Sequence, residues 1–144
     1  MSLLKAFIKN SVPTHATATS GEWYSILNLE FAFTYDTRIQ TNDPFVPLIP
    51  DDTAFTDCWR NHRVFLNLID CENPAQWLDN CVARAYDSKT LSVCIVPLRL
   101  GAAWWAPYAA RATEIRYPLA RLAHAMNQNG SSHKIAIFIF RPRS

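Results

Sequence analysis

The sequence predicts a single α/β domain built on a central mixed, mostly parallel sheet flanked by helices. Three observations predict it. Leu91-Ser-Val-Cys-Ile-Val-Pro-Leu98 is a near-continuous apolar run, as expected of a central strand covered on both faces. Apolar residues recur at helical spacing on either side of that run: Trp77, Leu78, Cys81, Val82 and Ala85 before it, Trp104, Trp105 and Tyr108 after it. Strands alternating with helices call for parallel pairing through crossover connections. The 144 residues suffice for one core, and no internal repeat or second boundary interrupts them.

The elements follow in order. Residues 1–21 read as an N-terminal arm and 22–144 as the folded domain. The first 20 residues hold Lys5, Lys9 and His15 but no acid, a faintly transit-peptide-like composition. Leu3, Leu4, Phe7 and Ile8 can share one helical face, and Asn10 to Gly21 reads as extended chain. Glu22 to Leu29 is expected to hold a short helix. Phe31 to Asp36 alternates aromatic with small or polar residues, which predicts a strand ending on Asp36. Pro44, Pro47 and Pro50, together with Asn42, Asp43, Asp51, Asp52 and Asp57, make 40–57 a long loop. Val64 to Leu68 is the next strand. Asn73 is expected to cap the following helix, with Pro74 at its first position. Ala102 to Ala112 is predicted helical, shortened or kinked by Pro107. Glu114 to Leu119 and His133 to Phe140 are predicted strands, giving an antiparallel finish at one edge.

Composition excludes some classes of function. The net charge of +2 is too small to argue for nucleic acid by itself. No apolar stretch approaches the roughly 20 residues of a membrane span. Cys58, Cys71, Cys81 and Cys94 show no C-x-x-C spacing and read as reduced, buried thiols. Zinc held by Cys58, His62 and Cys71 matches no common ligand spacing, so no metal is expected. Arg60, His62 and Arg63, and likewise Arg111, Arg116 and Arg121, read first as solvated faces.

Several segments in order are similar to the small DNA N6-adenine methyltransferases of bacteriophages and prophages. Glu22-Trp-Tyr24 looks like the opening motif of that family, and Leu27 to Asp36 its first helix end and first strand. Asp52 to Trp59 and Arg63 to Asn67 resemble the approach to its catalytic strand. Pro97-Leu-Arg99 with Trp104-Trp105 resembles the next strand end. Glu114-Ile-Arg116, Arg121-Leu122 and the last strand also fit, so the resemblance runs from Glu22 to Phe140. It implies a Rossmann-like methyltransferase fold, with S-adenosylmethionine lying across the carboxyl ends of the central strands and a flipped adenine as substrate. By this resemblance Trp23, Tyr24 and Asp36 would meet the cofactor, Asn67 and Asp70 would stand at the catalytic motif, and Arg99, Trp104 and Arg121 would meet DNA.

That catalytic motif is an Asn or Asp followed by two prolines and an aromatic. Its polar side chain and a backbone carbonyl accept the exocyclic amine; the prolines stiffen the turn, and the aromatic stacks on the base. Here Asn67 is followed by Leu68, Ile69 and Asp70. Neither Leu68 nor Ile69 is expected to lock the turn, and Asp70 cannot stack. The chain's three glycines are Gly21, Gly101 and Gly130, so no Gly-rich cofactor cradle follows the first strand. The expectation is therefore a degenerate enzyme without cofactor, reused as a structural or interaction subunit of a larger assembly of viral or phage origin. Its partner, protein or another copy, would be engaged through the arm, in the host cytoplasm or in a virion. The alternatives are an active S-adenosylmethionine-dependent DNA adenine N6-methyltransferase and a nucleic-acid-binding module.

Overall fold

The computed structural model describes residues 17–18, 20–36, 59–69, 71, 73–118, 121–123 and 132–143. The predicted loop 40–57 and the arm before Thr17 lie outside these residues. The elements are β1 (Thr17–Ala18), α1 (Ser20–Phe31), β2 (Tyr35–Asp36), β3 (Arg63–Asn67), α2 (Pro74–Asp87), β4 (Leu91–Pro97), α3 (Trp105–Arg111), β5 (Glu114–Arg116), β6 (Arg121–Ala123), β7 (Ser132–His133) and β8 (Ile135–Phe140).

The main sheet has five strands in the order β2-β3-β4-β8-β5. The pairs β2–β3 and β3–β4 are parallel, while β4–β8 and β8–β5 are antiparallel. The sheet is mixed as expected, but it is not mostly parallel. Without the two-residue β2, one parallel pair remains. The reason lies in the connections: α2 is the crossover that carries β3 into a parallel β4, whereas β8 turns back between β4 and β5.

Both central strands are buried along their whole length. Their side chains alternate between two cores with the period of two that a pleated strand imposes. On one face, Val64, Leu66, Cys94, Val96, Phe138 and Phe140 pack with Trp77, Leu78 and Cys81 of α2 and Trp105 of α3. On the other, Phe65, Val93, Ile95, Ile137 and Ile139 pack with Trp23, Leu27 and Phe31 of α1. The result is three layers, with α1 opposite α2 and α3. At about 25 cal/mol per Å² of apolar area removed from water, these two faces are the main source of stability.

Three local expectations change. Phe31 ends a helix rather than starting a strand, because Trp23, Leu27 and Phe31 recur every four residues and bury one helical face. The helix stops at Ala32, whose φ of 51° lies in the left-handed region. Asn28 secures the exit, its Oδ1 accepting the Phe33 N–H at 2.7 Å. Asn73 precedes α2 but makes no side-chain cap, so Pro74 alone marks that start. Helix α3 begins only at Trp105, which puts Pro107 in the first turn, where a missing N–H costs nothing.

A second, three-stranded sheet has the order β1-β6-β7. Thr17 and Ala18 pair in parallel with Arg121 and Leu122, so the domain itself holds the last part of the predicted arm. On the other side of α1, Arg116 of β5 grips Glu30 through two hydrogen bonds of 2.7 Å each.

Candidate functional site

Parallel β2, β3 and β4 bring three chain exits to one edge of the sheet, the edge where open α/β sheets bind ligands. Asp36 closes β2, with its backbone in register with Phe65. Asn67 closes β3 two residues further on, about 7 Å along the strand. Pro97 closes β4, and Arg99 follows it, exposed. The expected cofactor and motif positions on β2 and β3 are thus neighbours, on adjacent strands at one edge.

The turn after β3 is fixed in an unexpected way. The Leu68 N–H extends the parallel ladder to the Ile95 carbonyl at 2.8 Å. Half-buried Asn67 turns its Oδ1 back to accept the Ile69 N–H at 3.1 Å. This is an Asx turn, the local alternative that an asparagine side chain offers the backbone. The Leu68 carbonyl in turn accepts the Cys71 N–H at 3.2 Å. Leu68 is fully buried against the α2 face and Ile69 is buried against the α1 face. The expectation that these residues cannot lock the turn is corrected, since apolar burial on both faces and three backbone donors hold it. Asp70 lies outside the described residues.

Trp23 and Tyr24 belong to α1, on the side that packs against the sheet. Trp23 is 2% exposed, inside the core, and its indole N–H finds no acceptor among the described residues. Tyr24 is half-buried, with its ring edge-on to Phe65 at 5.1 Å and tilted against Phe33 at 5.5 Å. Both rings act as packing between helix and sheet. Trp104 is half-buried beside Trp105, with ring centroids 5.7 Å apart, while Trp105 meets Phe138 edge-on. Arg121 belongs to β6 in the smaller sheet, whereas Asn67 ends β3 and Arg99 follows β4 in the main sheet.

His62 and Cys71 stand at opposite ends of β3, roughly 16 Å of strand apart, so they cannot share one zinc ion. Cys58 lies outside the described residues. His62 instead places its Nδ1 2.9 Å from Thr34 Oγ1. The Sγ atoms of Cys81 and Cys94 touch at 3.5 Å in the core. Burial pushes the Cys94 thiol well up, with the neighbouring Cys81 adding to the shift.

One charge network escaped sequence reasoning. Arg116 also bonds Glu114 at 2.7 Å, and Glu114 reaches Arg141 at 3.3 Å. Burial opposes charge on Arg116, but its bonds to Glu30 and Glu114 outweigh that and raise its pKa. No spacing in the sequence links Glu30 to a residue 86 positions away.

Comparison with family descriptions, with curated proteins and with solved structures finds no match for this chain. No described helix is long and apolar enough to cross a membrane.

Proposed function

We propose that this chain is a methyltransferase-like α/β domain that does not transfer methyl groups and serves as a structural or interaction subunit of a larger assembly of viral or phage origin. The observation that carries the reading is the turn after β3. An amine to be methylated needs a polar side chain and a backbone carbonyl as acceptors. Here Asn67 Oδ1 is engaged by Ile69 N–H and the Leu68 carbonyl by Cys71 N–H. These bonds leave a bound amine the second lone pair of each oxygen, in a direction the turn sets, and misplacement of about 1 Å can cost a hundredfold in rate.

The cofactor side supports the same reading. Trp23 is core, and the Tyr24 ring is committed to Phe33 and Phe65. Those residues do not fit the role of walls for S-adenosylmethionine, so no step is derived through it. The interaction role rests on the arm's sequence: Leu3, Leu4, Phe7 and Ile8 can share one helical face, an apolar stripe that a partner can cover.

Calorimetric titration with S-adenosylmethionine, run beside light scattering on the same sample, tests both halves. The expected result is no heat and no thermal stabilisation at millimolar cofactor, with a particle heavier than 16.4 kDa. Micromolar binding followed by methylation of duplex DNA would establish the enzyme instead, with Asn67 and Asp70 as its motif. Salt-dependent binding to duplex without cofactor binding would favour the nucleic-acid module, with Arg99, Trp104 and Arg121 as the first residues to test.

A further inference from the structure

A cavity of about 270 Å³ opens between α2, α3 and the end of β8. It lies at the amino edge of β4, because Phe140 pairs there with Ser92. Asn67 is at the other edge of the sheet, so this is a separate site. Arg111, Arg141 and Arg143 line the cavity together with Thr113 and Tyr86, and no carboxylate does.

The charges around it do not cancel. Arg116 and Arg141 share Glu30 and Glu114. Arg84 is matched by Asp87. Arg111 and Arg143 have no carboxylate partner among the described residues. Of the three guanidiniums that line the cavity, only Arg141 is paired with a carboxylate, Glu114; Asp79 stands near Arg111 but accepts the Tyr108 hydroxyl, so the opening keeps a net positive charge. Aromatic rings orient the uncompensated pair: the Arg143 guanidinium lies 5.5 Å from the Tyr86 ring centre and that of Arg111 lies 6.0 Å from Tyr108. Thr113 Oγ1 accepts the backbone N–H of Arg141 at 2.8 Å, which leaves its own proton to donate. Val82, Ala85 and Phe140 supply an apolar floor.

We propose that this cavity binds a phosphate group carried by a small molecule. Guanidinium forks and a hydroxyl donor match tetrahedral oxyanions, and charge-assisted bonds of this kind are the strong ones. The volume suits a phosphate and a small attached group, since pockets for drug-sized ligands begin at about 300 Å³. Tyr86, 63% exposed, offers a face to a flat ring.

The test titrates the full chain with inorganic phosphate, adenosine monophosphate, adenosine, and sodium chloride at matched ionic strength, followed by calorimetry and thermal unfolding. Phosphate and the monophosphate are expected to bind and stabilise, while adenosine and salt are not. Arg111→Gln is expected to weaken binding about tenfold. Its side chain is exposed, its one ring contact is the 6.0 Å approach to Tyr108, and it is its carbonyl that bonds Arg143, so the variant should unfold within a few degrees of the parent's midpoint. Tighter binding of the monophosphate than of phosphate would assign the site to a nucleotide, and equal binding to the phosphate alone. Three results would overturn the proposal: no phosphate or monophosphate binding at millimolar concentration, adenosine binding as well as its monophosphate, or unchanged affinity in both Arg111→Gln and Thr113→Val.

Discussion

Asn67 and Leu68 end β3 in a turn that the chain's own hydrogen bonds and apolar burial hold in place. A proline at 68 would remove the N–H that reaches Ile95, and a proline at 69 would remove the N–H that Asn67 accepts. Introducing prolines at 68 and 69 should therefore destabilise this chain. Leu68→Pro is expected to cost about 3 kcal/mol or more, from one lost hydrogen bond and a buried leucine, measured by urea unfolding. Asn67→Ala should cost about 1 kcal/mol, while Asn67→Asp, which keeps the acceptor, should be near neutral. Unchanged stability in Leu68→Pro would mean that the turn is not held by these bonds. The cysteines allow a second check at this scale. Half-buried Cys71 should react with a thiol reagent in the native protein, while Cys81 and Cys94 should react only on unfolding.

Helix α1 and strand β5 are tied by the Glu30–Arg116 fork, whose side chains are 4% and 15% exposed. Removing one partner leaves a buried charge unmatched, so Arg116→Ala should cost about 3 kcal/mol or more, seen as a lower thermal midpoint. Trp23, Leu27 and Phe31 hold the same helix by burial, and Arg116 and Arg141 flank Phe31 at 5.3 and 5.9 Å. At the end of α2, burial tends to raise the Asp87 pKa. Hydrogen bonds from Ser88 and Arg84 outweigh it and lower the pKa below its ordinary 3.8. A depressed carboxyl contributes stability above its unfolded pKa and loses it as pH falls through the folded one. Asp87→Asn should therefore be slightly less stable than the parent near neutral pH, by a few tenths of a kcal/mol because the group is half-exposed. The gap should close below about pH 3.8, which acid titrations of both proteins would reveal.

For the whole molecule, the proposed interaction role predicts association. Light scattering should give a mass above 16.4 kDa for the full chain, and removal of residues 1–16 should return it to a single copy. A monomeric full chain would sink the role assigned to the arm. The α/β class and the positions of β3, β4, α2 and β8 were legible because their patterns are strong and local: six consecutive apolar residues in β8, a continuous run in β4. The end of α1 was misread because Phe31, Phe33 and Tyr35 satisfy a strand period while Trp23, Leu27 and Phe31 satisfy a helical one, and only packing against Phe65 and Ile69 chooses between them. At the candidate site, the sequence placed Asp36 and Asn67 at strand ends. It could not show that Asn67 folds back on Ile69, nor that the rings of Trp23 and Tyr24 lie in the core and against its edge.

The sequence by itself determined the class of the domain, the two-sided burial of its central strands and the absence of prolines after Asn67, because each is a property of neighbouring residues. The tertiary structure decided the antiparallel insertion of β8, the Glu30–Arg116 fork and the arginine-lined cavity. Each of these joins residues tens of positions apart, and which partners meet is set by the joint burial of two sheet faces, a condition no local window contains.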